Sequence, residues 1–173
     1  MRNLVYLVLC FCLLLVGCEG TKEEIPSNGK FIADQPIPIE YNGSTLYVHP
    51  FDNAEAATWG NYPSSQGVTG ANSRTDGKEN TRKIIDAFGE GEYAAYICDT
   101  LTAYGYDDWY LPSIDELNAI YSNSGKIIDL ESENYWSSTE TSIKRAWRKD
   151  FYDGEQDTLK KYFKRTVRCV RRD

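Results

Sequence analysis

The positions of five cysteines constrain this 173-residue chain more than any other feature. Three of them lie within the first eighteen residues, and the rest of the chain holds only Cys98 and Cys169, which are 71 residues apart. In an oxidising compartment such a pair usually closes, whereas in the cytosol both thiols stay reduced. What the chain can fold into therefore depends first on whether it is exported.

The N-terminus has the pattern of an export signal. Arg2 is followed by an apolar run from Leu4 to Val16, which is too short to span a hydrocarbon core of about 30 Å as a helix. The run ends in Leu15-Val16-Gly17-Cys18, where small residues before a cysteine are typical of a lipobox. We predict a lipoprotein signal peptide at residues 1–17 and lipidation of Cys18. An ordinary signal peptide or a short membrane anchor is the alternative.

Residues 18–35 are polar and lack apolar periodicity, which predicts a flexible tether. Within them, Lys22-Glu23-Glu24 resembles the acidic export signals of some Bacteroidota lipoproteins, which are carried to the outer face of the outer membrane. A solvated charged linker is the alternative. We therefore expect a protein held at the outer membrane by its lipid anchor only and facing outward.

The charge and the length of the chain limit what it can bind and how many domains it can form. Removing residues 1–17 takes away one charge, that of Arg2, which leaves 18 basic and 26 acidic side chains and a net charge of −8. Such an acidic chain is not expected to bind nucleic acid. Residues 36–173 are enough for a single domain, which we expect to be a monomer.

Export makes a Cys98–Cys169 disulfide the expected arrangement. In the chain-entropy model, closing a loop of this length stabilises a fold by roughly 4 kcal/mol. A redox-active pair is the alternative, which the lack of a Cys-X-X-Cys motif disfavours.

Local patterns predict the elements of the first half. Alternation from Ile37 to His49 around Asn42-Gly43 predicts a β-hairpin with a type I′ turn, and residues 51–78 are expected to form an ordered loop region anchored by Trp59 and Tyr62. Helices are expected at residues 81–88, between caps at Asn80 and Gly89, at residues 92–103, and after Ser113. The second helix carries Cys98 on its buried stripe, and the third begins with a capping box formed by Ser113 and Glu116.

The second half is predicted to consist of strands. They are expected at Tyr135–Ser138, at Ala146–Tyr152 before an Asp153-Gly154 turn, and at Tyr162–Arg171. In the last strand, Phe163, Val167 and Cys169 should share one face, while Tyr162, Lys164, Thr166 and Arg168 share the other. Helices followed by antiparallel strands predict an α+β domain.

Nine segments of the chain, in order, carry a family resemblance. They are Gly70-Ala71, Thr75-Asp76-Gly77, Asn80-Thr81, Ala94-Ala95-Tyr96-Ile97-Cys98, Gly105-Tyr106-Asp107-Asp108-Trp109-Tyr110-Leu111-Pro112-Ser113, Glu116-Leu117, Tyr135-Trp136-Ser137-Ser138-Thr139-Glu140, Ala146-Trp147 and Val167-Arg168-Cys169-Val170-Arg171. Together they resemble the bacterial Lcl C-terminal domain family. The matches span roughly residues 70–171 and leave the N-terminal hairpin out.

The resemblance implies a C-type-lectin-like fold, with short helices packed on a small antiparallel twisted sheet and long irregular loops. It implies the same bridge between a helix cysteine and the last strand. Members are typically exported surface proteins, and some are associated with sulfated or other acidic glycans. The chain lacks the Glu-Pro-Asn, Gln-Pro-Asp and Trp-Asn-Asp signatures of calcium-dependent lectins. Calcium therefore stays possible but is not indicated, and we expect no metal and no other cofactor.

Catalysis is not expected. His49 is the one histidine of the chain, which excludes a multi-histidine metal centre, and no nucleophile motif surrounds it. No phosphate-binding glycine motif precedes a helix. An enzyme of the formylglycine-generating type, which shares the lectin-like architecture, is the less favoured alternative.

Binding is the function that remains. Aromatic faces and charged side chains commonly hold glycans. The candidate contacts are Tyr135, Arg148, Lys149, Tyr152, Lys164 and Arg168. Among them, Arg148, Lys149 and Tyr152 are expected to be exposed. Trp136 and Trp147 are expected in the core. We expect a cell-surface lipoprotein that binds a glycan, with a protein–protein adhesion or surface-assembly role as the alternative.

The C-terminus is basic within an acidic chain. Its cations are Lys160, Lys161, Lys164, Arg165, Arg168, Arg171 and Arg172. They could hold a sulfated or carboxylated glycan. They could equally protect a strand edge from aggregation or pair with the acidic side chains of the domain.

Overall fold

The computed structural model describes residues 34–61, 69–127, 130 and 133–173. The predicted signal peptide, the predicted lipidation site at Cys18, the tether up to residue 33 and the predicted anchor Tyr62 lie outside the described residues. Within the described ranges, no helix combines the length and the apolar character needed to cross a membrane.

The N-terminal hairpin forms as predicted because its turn sequence accepts a left-handed backbone. Strand β1 (Ile37–Tyr41) pairs antiparallel with strand β2 (Ser44–Val48). Between them, Asn42 and Gly43 have φ angles of 50° and 77°, as a type I′ turn requires. Local sequence is therefore sufficient to define this element.

The loop region after the hairpin holds one strand that was not predicted. Trp59 is buried, as expected, but the short strand β3 (Ala54–Ala57) precedes it. Alanine and glutamate have low strand propensity, so pairing with a strand near the C-terminus decides the conformation of β3.

Helix α1 (Gly77–Phe88) begins before the predicted start at residue 81. The prediction of Asn80 as its cap is wrong, because Asp76 caps the helix by accepting a hydrogen bond of 3.0 Å from an amide of the first turn. Asn80 is buried inside the helix, where its side-chain amide bonds the backbone of Ser73. Gly89 ends the helix with a φ of 67°, as predicted.

Helix α2 (Ala94–Asp99) is shorter than the predicted 92–103, and the chain turns through Gly105 at a φ of 78°. It presents Cys98 to the interior. Cys98 forms a disulfide with Cys169, so the predicted bridge is confirmed.

Helix α3 (Ile114–Ser122) begins with the predicted capping box. Ser113 accepts a hydrogen bond from the Glu116 amide, and the Glu116 carboxylate accepts one from the Ser113 amide at 2.7 Å. One turn of 3₁₀ helix, Ser124–Lys126, follows.

Five strands make up the C-terminal part. They are β4 (Asn134–Ser142), β5 (Arg145–Asp150), β6 (Gln156–Lys160), β7 (Arg165–Val167) and β8 (Val170–Arg172). The polar strand β6 was not predicted. The single long strand predicted over Tyr162–Arg171 is wrong, because Arg168 and Cys169 separate two short strands and Phe163 is exposed rather than inward-facing.

The strands form two sheets, with orders β1-β2-β8 and β3-β7-β4-β5-β6. All strand pairs are antiparallel except β4 with β7. Helix α1 packs against β4, and α3 packs against β1, β4 and β5. The predicted α+β class, with short helices packed on sheets, is confirmed.

Two clusters of buried side chains form the core. The first surrounds the disulfide with Trp59, Trp109 and Trp136, and the second joins the hairpin to α3 through Leu46 and Ile120. The disulfide thus lies within an aromatic part of the core.

Candidate functional site: a basic and aromatic patch

Two turns lie side by side at the same end of strands β5 and β6. Arg145, at the start of β5, is paired in register with Lys160, at the end of β6. The backbone amide of Lys161 then donates to the carbonyl of Lys144 at 2.9 Å. The turn before β5 and the turn after β6 therefore form one continuous surface.

Large apolar side chains are exposed on this surface. The exposed fractions are 48% for Ile143, 45% for Tyr162 and 41% for Phe163. Tyr106 and Tyr152 are the other large hydrophobic side chains that are exposed among the described residues. The rings of Tyr162 and Phe163 lie 4.7 Å apart and are tilted by 37°. Such a pair offers apolar ring surface to a partner.

Exposed cations surround these apolar side chains. We call the surface the basic–aromatic patch, and it consists of Ile143, Lys144, Arg145, Lys160, Tyr162, Phe163 and Lys164. Within the part of the chain that the structure describes, none of its four cations forms an ion pair with an acidic side chain. The Lys160 ammonium lies 5.7 Å from the centroid of the Tyr162 ring. The patch therefore joins apolar rings to positive charge that no carboxylate neutralises.

A buried ion pair supports the patch from below. Lys161 lies between two patch residues, but its side chain turns inward and pairs with the carboxylate of Glu140. Its ammonium group lies 4.4 Å from the centroid of the Trp59 ring. Burial lowers the pKa of Lys161 below its usual value, and the neighbouring carboxylate opposes that shift.

Tyr135 and Arg168, two of the predicted ligand contacts, are buried. The Nε of Arg168 donates to Oδ1 of Asp52 at 2.7 Å, and the hydroxyl of Tyr135 donates to Oδ2 of the same carboxylate at 3.1 Å. Their polar atoms therefore hold the interior together, and neither side chain belongs to the exposed surface.

The expectation that Lys149 is exposed is wrong, since only 4% of the residue is exposed. Its ammonium group donates to the carbonyl of Gly154 at 2.7 Å and lies 4.4 Å from the centroid of the Tyr121 ring. Arg148 is partly buried, with carboxylate oxygens of Asp150 and Asp157 at 3.6 and 3.8 Å. Lys149 and Arg148 thus have partners within the domain.

Tyr152 and Lys164 are the two predicted contacts that are exposed. Tyr152 is 81% exposed, but it lies in the turn after β5, at the other end of that strand from the patch. Lys164 belongs to the patch. Their contact with a ligand stays a prediction. Trp136 is buried, as predicted, and Trp147 is partly buried.

The basic C-terminus divides into paired and unpaired cations. Arg168 pairs with Asp52, Arg171 with Asp108 at 2.7 Å, and Arg172 with Glu116 at 3.2 Å. Pairing with the acids of the domain therefore accounts for these three and for Lys161. Lys160 and Lys164 stay exposed on the patch.

Sequence reasoning missed four patch residues as binding candidates: Ile143, Lys144, Arg145 and Phe163. Ile143 and Lys144 form the short turn between β4 and β5, where the isoleucine is exposed, and Arg145 begins β5. The polar break at Thr141-Ser142 was the signal that could have placed a turn there. Phe163 was missed because a continuous last strand would have turned it inward.

A cleft of about 520 Å³ lies beside the start of α1. Its acidic lining residues are Asp76, Glu79, Asp99, Asp107 and Asp108. Burial raises the pKa of Asp99 above its usual value. Among the described residues, no three His, Cys, Asp or Glu side chains are arranged to hold a metal ion. Calcium therefore stays possible but is not indicated, and the expected lack of a cofactor stays a prediction.

His49 is built into an aromatic cluster. Its Nδ1 lies 2.8 Å from the carbonyl oxygen of Phe51, and its ring centroid lies 5.3 Å from that of Trp109 and 5.5 Å from that of Tyr104. Burial lowers the pKa of His49 below its usual value. These contacts are structural, and the absence of catalysis stays a prediction.

These features define a class: a disulfide-bridged α+β domain that presents a basic and aromatic surface on the turns of its larger sheet. The chain belongs to the Lcl C-terminal domain family, whose family model matches residues 49–171. The match confirms the resemblance drawn from the sequence segments, and it begins just after β2, so the hairpin lies outside it. Among curated proteins, no significant match is found.

Proposed function

We propose that this protein is a lipid-anchored outer-membrane protein that binds an acidic glycan outside the cell without chemically changing it. The basic–aromatic patch is the observation that carries the proposal. It brings together apolar rings and four cations that form no ion pair among the described residues, on a domain whose chain has a net charge of −7.

The chemistry of the patch suits an acidic sugar polymer. Aromatic rings such as those of Tyr162 and Phe163 can stack on the apolar faces of sugar rings. Lysine and arginine side chains bind carboxylate or sulfate groups, and Arg145 adds the planar fork that favours such groups. Because no carboxylate among the described residues neutralises these cations, an incoming polyanion does not have to displace an internal carboxylate.

The sequence of the N-terminal segment supports the anchored location. A signal peptide at residues 1–17 would leave Cys18 as the lipidated first residue, and the polar stretch to residue 35 would separate the domain from the membrane. The resemblance of Lys22-Glu23-Glu24 to Bacteroidota export signals favours the outward-facing leaflet. A Cys18→Ser variant is expected to carry no lipid and to be lost from the outer-membrane fraction.

Binding of heparin and of an uncharged dextran tests the proposed function. The wild-type protein should bind heparin, should bind more weakly as salt is raised, and should not bind dextran. A Lys160→Gln, Lys164→Gln double variant removes two of the four exposed patch cations and should weaken heparin binding by about tenfold. Mass spectrometry of the recovered polysaccharide should show no change.

A matched control is available in Lys78 and Lys126, two exposed lysines outside the patch. A Lys78→Gln, Lys126→Gln variant has the same net charge as the patch variant and should keep wild-type affinity. If both variants lose affinity equally, binding follows net charge and the patch is not the site. Equal binding of dextran and heparin would contradict the acidic ligand class.

A further inference from the structure

Lys161 has an unusual position for a lysine. Its neighbours Lys160 and Tyr162 are exposed on the patch, whereas its own side chain is buried. Its ammonium group pairs with the buried carboxylate of Glu140, above the ring of Trp59. A charged pair therefore lies immediately under the exposed surface.

The backbone of Lys161 connects the patch to the rest of the domain. Its amide donates to the carbonyl of Lys144 at 2.9 Å, which joins the two turns of the patch. Its carbonyl accepts from the amide of Trp59 at 3.0 Å, which ties both turns to the segment after β3. One residue thus fixes the relative position of three segments.

The other partner of the pair is equally well connected. The Glu140 carboxylate accepts hydrogen bonds from the backbone amide of Thr69 at 2.9 Å and from that of Gly70 at 3.2 Å. Glu140 lies near the end of β4, shortly before the turn that carries Lys144. The ion pair therefore links both turns of the patch through side chains as well as through the backbone.

Stability alone does not explain a buried ion pair. Removing two charges from water costs about as much free energy as their attraction returns, and apolar side chains of similar size often stabilise a fold equally well. The ion pair instead favours one arrangement of the segments that hold Glu140 and Lys161, because each buried charge needs a partner of opposite sign at short range.

We infer that Lys161 and Glu140 are positioning residues for the basic–aromatic patch. They hold the turn that carries Tyr162 and Phe163 against the turn that carries Lys144, in the arrangement that the ligand meets. The inference rests on the proposed function and deepens it, because it assigns a role in binding to two buried residues that do not touch the ligand.

A Glu140→Gln, Lys161→Met double variant tests this role. It removes both charges, so the net charge of the protein is unchanged, and the glutamine oxygen can still accept from the Thr69 and Gly70 amides. Methionine keeps an unbranched chain of similar length over Trp59. At a temperature where both proteins are folded, the variant should bind heparin about tenfold more weakly than the wild type.

Hydrogen exchange gives a readout that does not depend on the ligand. The amides of Lys161 and Phe163 should exchange faster in the double variant, because the turn is less firmly held. The matched control is Asp52→Asn, Arg168→Met, which neutralises an ion pair between a buried arginine and a partly buried aspartate and also leaves the net charge unchanged. The control should keep wild-type heparin affinity and wild-type exchange at these two amides.

The outcomes separate the two proposals. If the wild type binds heparin and the Glu140→Gln, Lys161→Met variant binds equally well, the positioning role is overturned while the proposed function stands. Equal loss of affinity in the Asp52→Asn, Arg168→Met control also overturns it. If the wild type does not bind heparin, the proposed function fails, and unchanged exchange at Lys161 and Phe163 then overturns the positioning role independently.

Discussion

The fully buried carboxylate of Glu116 accepts hydrogen bonds from backbone amides at the starts of two helices, α1 and α3. Its carboxylate accepts from the amides of Ser113 at 2.7 Å and Gly77 at 3.1 Å, and from the hydroxyl of Tyr110 at 2.9 Å. Burial raises the pKa of Glu116, and the Ser113 amide, the positive charge of Arg172 and the Tyr110 hydroxyl oppose the shift. The capping box predicted the first of these bonds, whereas the others come from residues that folding brings together.

Gly77 tests how tightly this carboxylate is enclosed. A Cβ atom at residue 77 would lie 2.6 Å from the Ser113 nitrogen and 2.7 Å from the Leu111 oxygen, and would also meet the Glu116 carboxylate. Because two of these neighbours are backbone atoms, they cannot move aside cheaply. Gly77→Ala should lower the free energy of unfolding by about 1–3 kcal/mol, measured by urea denaturation.

Gly125→Ala is the control for this substitution. Nothing lies within 4 Å of the position of the added Cβ at residue 125. The free energy of unfolding should therefore change by no more than about 0.5 kcal/mol. A Gly77→Ala variant as stable as the Gly125→Ala variant would contradict the close packing around Glu116.

His49 makes a clean pH probe because the chain has one histidine. Burial lowers its pKa below the ordinary value of 6.5, and the positive charge of Arg168 acts in the same direction. An NMR titration of the imidazole in the folded protein should therefore give a midpoint below 6.5. A midpoint at or above 6.5 would show that the ring is solvated rather than packed in the aromatic cluster.

The sign of the stability effect follows from this lowered pKa. As pH falls below about 6.5, the unfolded chain binds a proton at His49 before the folded protein does. The contribution of neutral His49 to the free energy of unfolding is therefore lost as pH falls from about 6.5 through the lower pKa of the folded protein. For one proton, the free energy of unfolding cannot change by more than about 1.4 kcal/mol per pH unit. The raised pKa values of Asp99 and Glu116 have the opposite effect on stability as pH falls. The free energy of unfolding of a His49→Gln variant should therefore be compared with that of the wild type at each pH, because the difference isolates the contribution of His49.

At the scale of elements, the sequence predicted best where the signal is local. The Asn42-Gly43 turn and the Ser113 capping box each contain the groups that define them, and both were predicted correctly. The start of α1 was misplaced because Asn80 bonds the backbone of Ser73 instead of capping the helix. Strand β6 was missed because its polar sequence becomes a strand only by pairing with β5.

The disulfide between α2 and the segment before β8 is the element-scale feature with the largest expected effect. It closes a loop with a sequence separation of 71 residues. Reduction should lower the free energy of unfolding by roughly 4 kcal/mol in the chain-entropy model, measured by comparing urea unfolding of the oxidised and reduced proteins. Two free thiols in protein recovered from the exporting cell would contradict the bridge.

At the scale of the whole molecule, charge is distributed unevenly. The chain carries a net charge of −7, yet four cations gather on the basic–aromatic patch without a carboxylate partner among the described residues. Other basic side chains, such as Arg168 and Arg171, are buried beside acids. A polyanion would therefore meet attraction at the patch and repulsion over much of the remaining surface.

The candidate site was only partly predictable from the sequence. The basic C-terminus was recognised, but sequence spacing cannot tell Lys160, which is exposed, from Lys161, which is buried beside it. Neighbouring residues of a strand face opposite sides, but the polar sequence of β6 does not show which side is turned inward. The contribution of Ile143 and Lys144 depends on the pairing of β5 with β6, which brings distant segments together.

Mapping the heparin contact by NMR shows directly whether the basic–aromatic patch is the binding surface. Isotopically labelled protein would be titrated with a short heparin oligosaccharide, and changes in amide chemical shift would be followed along the chain. The largest changes are expected at residues 143–145 and 160–164. Changes centred on the acidic cleft around Asp107, or no change anywhere at saturating oligosaccharide, would contradict this expectation.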